Sequence, residues 1–165
     1  MAVVVPNGVL FRGSSEGEIR RKLIEENLLD TVIGLPEKLF FGTGIPAAIL
    51  IFRKHKADDT VLFIDASRDY EADTNQNRLR EGDIANTVEM YRARKAVPKY
   101  AQLVNLKDIA ANDFNLNVPR YVDTFEEEEE IDLMAARAER LALKARMEEL
   151  EIRMDGYLRE LGYGA

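Results

Sequence analysis

The 165-residue sequence contains no cysteine. This excludes disulfide scaffolds, thiolate metal sites and cysteine nucleophiles, and it fits a reducing cytoplasm, where we expect the protein to work. There is a single histidine, His55, set in Arg53-Lys54-His55-Lys56. Its cationic neighbours repel a metal ion, and one imidazole is too few for a zinc site or a histidine-dependent triad, so no metal ligand is assigned. No apolar run reaches the roughly 18 residues a membrane helix needs. The start, Met1-Ala2-Val3-Val4-Val5-Pro6, has neither a basic n-region nor a long h-region, so it does not read as a signal peptide.

What is present is ordinary globular material, 46% hydrophobic and 32% charged, enough to build a core. The net charge of −7 is unevenly placed. Residues 126–165 carry 12 acidic and 6 basic residues, which leaves the body near neutral and the tail acidic. Phosphate affinity comes from Lys and Arg, so any nucleic-acid contact must be local or shared with a partner.

The pattern predicts an α/β fold. Ala2–Pro6 is a continuous apolar run that reads as a strand buried on both faces, and Asn7-Gly8 turns the chain. Ser15-Glu16-Gly17-Glu18 reads as a capping box opening a helix to about Asn27, with Ile19, Leu23 and Ile24 inward. Residues 30–35 form a second strand stopped by Pro36. This strand–helix–strand unit predicts a parallel crossover. Residues 47–52 and 61–64 are two further strands, read as an antiparallel pair across the charged turn 53–60. Asp83 reads as the cap of a helix to about Lys95, residues 100–104 as a short strand, and Asn105 as the cap of a short helix. Three parts follow: a sheet over 1–65, a mixed extension over 66–125, and a long helix over 126–165 opened by Glu126–Glu130.

In that helix Leu143, Met147, Leu150, Met154, Tyr157 and Leu161 recur at spacings of 4, 3, 4, 3 and 4. This is a heptad seam, suited to a partner helix or to its own domain. The carboxylates do not sort into an acid/base pair, and no catalytic residue is assigned. Gly42-Thr43-Gly44 lacks the Lys-Ser/Thr ending of a phosphate loop and precedes a strand. The adjacent Phe40 and Phe41 have two readings from spacing alone: both in the core, or one a stacking platform for a planar ligand.

Several blocks together carry a resemblance: Val4-Val5-Pro6-Asn7-Gly8-Val9-Leu10-Phe11, Ile19-Arg20-Arg21-Lys22-Leu23, Val32-Ile33-Gly34-Leu35-Pro36, residues 39–50, Phe63-Ile64-Asp65-Ala66-Ser67 and Tyr121-Val122-Asp123-Thr124. They are similar to the carboxyl-terminal part of the modification (HsdM) subunit of type I restriction–modification systems, a family of N6-adenine DNA methyltransferases. The resemblance covers essentially the whole chain. It implies a partial Rossmann-like methyltransferase sheet, with parallel strands and an antiparallel hairpin, followed by a long C-terminal helix.

It also implies a division of labour. The complete family enzyme uses S-adenosylmethionine, but the acidic, glycine-rich donor loop is absent here. So is the Asn/Asp-Pro-Pro-aromatic tetrapeptide; the sequence has no Pro-Pro. We therefore expect this chain to be a fragment that holds no cofactor and is inactive alone. For Phe40, with Phe41 beside it, the resemblance implies stacking on a flipped-out adenine. For Pro6, Asn7 and Gly8 it implies a loop lining the same cleft. The long helix is expected to assemble with the DNA-specificity subunit, with the restriction subunit as a further partner and DNA reached through the complex. The alternative is a non-catalytic regulatory module that binds the specificity subunit through its tail. A free edge on the first strand also leads us to expect a homodimer or larger assembly.

Overall fold

A computed structural model describes residues 1–124 and 133–163. The chain divides into a sheet-containing unit and a separate unit carrying the long helix. Glu126–Glu130, read above as the helix start, lie outside the described residues.

The first unit is one five-stranded mixed sheet: β1 (Ala2–Pro6), β2 (Leu29–Gly34), β3 (Ala47–Phe52), β4 (Thr60–Asp65) and β5 (Ala101–Asn105), with helices α1 (Ser14–Glu25), α2 (Glu81–Ala93) and α3 (Leu106–Ala111). The spatial order is β1-β3-β2-β4-β5. Among the described residues only β2 and β4 pair in parallel; the other three strand pairings are antiparallel. Along β2 successive side chains alternate between faces, as the pleat requires. Val32 joins Leu10, Ile24, Leu50, Phe63, Ile109 and Leu116 on one face, and Ile33 joins Leu35, Leu62, Ile64 and Ala101 on the other. The expected mixture of parallel and antiparallel strands is present.

Two adjacencies differ from the expectation. First, β1 and β2 run the same way but do not touch, because β3 lies between them. β1 is therefore an edge strand, with Val3 and Val4 exposed and only Val5 half-buried. An apolar run records the composition of a strand, not how many neighbours it has, which is why Val3–Val5 read as central. Second, β3 and β4 are not a hairpin. The seven residues between them pass the start of β2 and join strands on either side of it, a gap of about 10 Å that such a connection spans easily. Lys56 stabilises this crossing, since its ammonium donates to the Leu29 carbonyl (2.8 Å), the Thr60 carbonyl (2.6 Å) and Asn27 Oδ1 (3.0 Å). Burial lowers its pKa, against the opposing pull of Asp58 and Asp30.

Local capping also differs. No side chain caps α1, whose N-cap is Gly13; the capping box at Ser15 is not formed. On α1, Ile24 is buried but Ile19 is exposed, and the residue turned inward beside it is Arg20. Arg20 Nε donates to the Phe114 carbonyl, and Nη1 to the carbonyls of Val9 and Arg12. In α2 Asp83 sits one turn in and accepts the Arg80 backbone N–H (2.9 Å) and guanidinium, so Arg80 is the cap. Asn105 does precede α3, without a side-chain bond.

The second unit is α4 (Leu133–Glu160), 28 residues and about 42 Å long. Leu143, Met147, Leu150, Met154, Tyr157 and Leu161 are all more than half exposed. Arg153 and Glu149 pair at i,i+4 on its surface.

Candidate functional site

The strand end that carries the site is built by chain economy. β2 ends at Gly34, and the loop from Leu35 to Pro46 must return the chain antiparallel beside it as β3. The loop base is closed by the Leu35 N–H donating to the Ala47 carbonyl (2.9 Å). β1 arrives on the other side of β3, and the Asn7 N–H donates to the Pro46 carbonyl (3.0 Å). Register thus brings the end of β1 and the loop after β2 to one place.

There lies a groove of about 270 Å³ lined by Val4, Val5, Pro6, Phe40, Thr43, Ile45, Pro46 and Ala47. Phe40 is 45% exposed and Phe41 94% exposed, so the reading that puts both in the core is excluded. Of the three residues assigned to the adjoining loop, Pro6 lines the groove and Asn7 tethers its wall through the backbone. Gly8 instead turns inward and is buried; a Cβ there would meet the Arg12 guanidinium at 2.7–3.0 Å. The Gly42-Thr43-Gly44 turn needs Gly42 for its left-handed backbone, φ +76°. The Thr43 hydroxyl accepts the Ile45 N–H (3.1 Å), which keeps the turn folded.

Sequence reasoning missed how the loop is held. Asn77 lies among exposed polar residues yet is itself buried. It and Gln76 bond to the carbonyls of residues 37–39, immediately before Phe40. The signal available was Asn75-Gln76-Asn77, three side-chain amides in a row, but nothing local says which backbone they serve.

The acidic residues at and just past the end of β4 are occupied structurally. Asp65 Oδ1 accepts the Ser67 N–H (3.0 Å), and Asp69 Oδ2 accepts the Tyr100 hydroxyl (2.6 Å). Burial, reinforced by Asp69, pushes the Tyr100 phenol up to about 12, so it is a donor and not a base at neutral pH. Among the described residues no acidic or histidine group could hold a metal, and no helix is long and apolar enough to cross a membrane.

The class is set by the fold. A solved methyltransferase subunit of a type I restriction–modification system from Streptococcus thermophilus superposes with a TM-score of 0.73 at 47% identity, over 76% of this chain and 26% of that one. The sequence matches the N-6 DNA Methylase family over residues 1–130, and the chain belongs to that family. It is 34% identical over 164 residues to the MjaVII type I methylase subunit of Methanocaldococcus jannaschii, covering 96% of this chain and 28% of that protein. It is 33% identical over 177 residues to the HindI type I methylase subunit of Haemophilus influenzae, covering 99% of this chain and 40% of that protein. The chain thus spans less than half the length of these relatives.

An N6 DNA methylase takes its methyl group from S-adenosylmethionine, which needs polar partners for a ribose, an ammonium and a carboxylate. The groove beside Phe40 has one hydroxyl, Thr43, and otherwise apolar walls. These residues do not fit the donor. We expect calorimetric titration of the 165-residue chain with S-adenosylmethionine to show no binding. A micromolar dissociation constant would mean that a donor site exists in this unit.

Proposed function

We propose that this chain serves as the carboxyl-terminal part of a type I modification methylase. In this reading it completes the methyltransferase sheet, offers Phe40 as the stacking face for an adenine extruded from DNA, and joins the specificity subunit through α4. The restriction subunit is a further partner of the assembled complex. Donor binding and methyl transfer lie with residues of the methylase that this chain does not contain, so by itself the chain is inactive. The reading places the work in the cytoplasm. The free edge of β1, with Val3 and Val4 exposed, is where further strands of such a sheet, or a second copy, would pair.

The observation that carries the catalytic part is the half-exposed Phe40 lining the groove that Pro6 also lines. An adenine must leave the stack before its N6 can be methylated, and a flipped base needs an aromatic or apolar face to receive it. In a full-length methylase carrying this segment, deletion of residues 40–45 should abolish methyl transfer while the specificity subunit still co-purifies. Methylation at the wild-type rate would overturn the stacking role.

The assembly part rests on α4. Six large apolar residues at heptad spacing, five on α4 and Leu161 just past its end, all more than half exposed, form a seam suited to helix–helix packing. Replacing Leu150 and Met154 by Glu puts two charges into that seam. Co-purification with the specificity subunit should then be lost, while the circular-dichroism signal of residues 1–125 persists. A double variant that still binds would remove α4 from the interface.

A further inference from the structure

Three consecutive carbonyls precede the exposed aromatics, and all three accept from two adjacent residues. Asn77 Nδ2 donates to the Glu37 carbonyl (2.9 Å), the Asn77 backbone N–H to the Lys38 carbonyl (2.9 Å), and Gln76 Nε2 to the Leu39 carbonyl (2.6 Å). A carbonyl oxygen can only accept, so the amide nitrogens must face the loop. Lys38 lies in the left-handed region at φ +53°, a conformation that a lysine keeps only when its surroundings hold it. The segment supplying the donors is itself braced, because the Glu71 and Arg78 backbones bond each other in both directions at 2.8 and 3.0 Å.

Burying the Asn77 amide costs desolvation, and a surface loop gains nothing from it unless the bonds are needed. Beyond Phe40 the loop bonds only within itself until Pro46 and at longer distances: the Thr43 N–H reaches the Phe40 carbonyl at 3.4 Å and the Ile45 N–H the Thr43 hydroxyl at 3.1 Å. The backbone leading into Phe40 is therefore held from the 37–39 side.

We infer that Gln76 and Asn77 are positioning residues for Phe40, holding its loop in the stacking conformation before a base arrives. This rests on the reading of Phe40 as the stacking face. Preorganisation of this kind acts on the reacting geometry, and a small misplacement far from the chemistry lowers turnover steeply.

The test uses Gln76→Glu and Asn77→Asp, which keep shape but replace each donor by an oxygen facing a carbonyl, with Phe40→Ala alongside. In the full-length methylase both amide variants should lower kcat roughly 10- to 100-fold, with KM for the methyl donor unchanged. In the 165-residue chain the amides of residues 39–44 should exchange hydrogen faster, while the melting temperature of Gln76→Glu, at the half-exposed position, stays near wild type. Phe40→Ala impaired with Gln76→Glu at wild-type kcat overturns the positioning role alone. Unchanged exchange at residues 39–44 overturns it as well. Phe40→Ala at wild-type kcat overturns the stacking reading, and the positioning role with it.

Discussion

Phe40→Ala in a full-length methylase should lower methyl transfer roughly 5- to 150-fold, because base–aromatic stacking contributes about 1–3 kcal/mol and each 1.36 kcal/mol is tenfold in rate. Its effect on folding should be small by comparison. A fully buried phenylalanine costs about 3–5 kcal/mol on truncation, since it leaves a cavity. Phe40 is nearly half exposed and leaves open groove instead, so about 1 kcal/mol is expected. Phe40→Tyr keeps the π face and should keep most of the activity. Tritiated-methyl transfer and chemical denaturation, run on the same preparations, separate the two quantities. A stability loss equal to that of a core aromatic, with activity falling only in proportion to unfolded enzyme, would return Phe40 to a structural role.

The opposite pattern is expected at Asp30, near the other end of β2. Its carboxylate is wholly buried. Oδ1 accepts Arg94 Nη1 at 2.9 Å and pairs with Arg53 Nη2 at 3.1 Å, and Oδ2 accepts the Thr31 hydroxyl at 3.1 Å. Arg94 follows α2 in a left-handed turn, φ +46°, and its other nitrogen lies 3.5 Å from Asp58. One carboxylate thus ties the start of β2 to the end of α2 and to the β3–β4 crossing. Asp30→Ala leaves the largely buried Arg94 guanidinium without its main counter-charge, which costs about 3–5 kcal/mol. That is a large share of the stability of an ordinary domain. Asp30→Asn keeps the shape and one acceptor and should cost less. Enzyme that remains folded should methylate normally, because Phe40 and its groove belong to the opposite strand end. Urea denaturation checks the first statement and specific activity the second.

The two sites show what could be read from residues in order and what could not. The strands, read from residues 30–35, 47–52 and 61–64, announce themselves as short, largely apolar runs between turns, and the loop that follows Pro36 stands out by its paired phenylalanines and glycines. Several of the blocks that carry the family resemblance fall on these same segments, at 32–36, 39–50 and 63–67. Strand order is different, because it depends on contacts between segments far apart in the chain. Nothing in Ala47–Phe52 says that it will insert between β1 and β2, and nothing in Arg53–Asp59 says that Lys56 will close three acceptors beneath β2. Arg20 and Asn77 were hidden for the same reason. A buried polar residue looks like any surface polar residue until its distant carbonyls are known.

The most direct test of the central claim replaces the target adenine by 5-iodouracil, whose photolysis links it to an aromatic ring stacked against it. With a full-length methylase carrying this segment, bound to its specificity subunit and DNA, irradiation should attach the base to Phe40. The cross-link should map by mass spectrometry to the peptide spanning residues 39–53 and vanish in Phe40→Ala. A cross-link of undiminished yield in Phe40→Ala, mapping to another part of the methylase, would contradict the account.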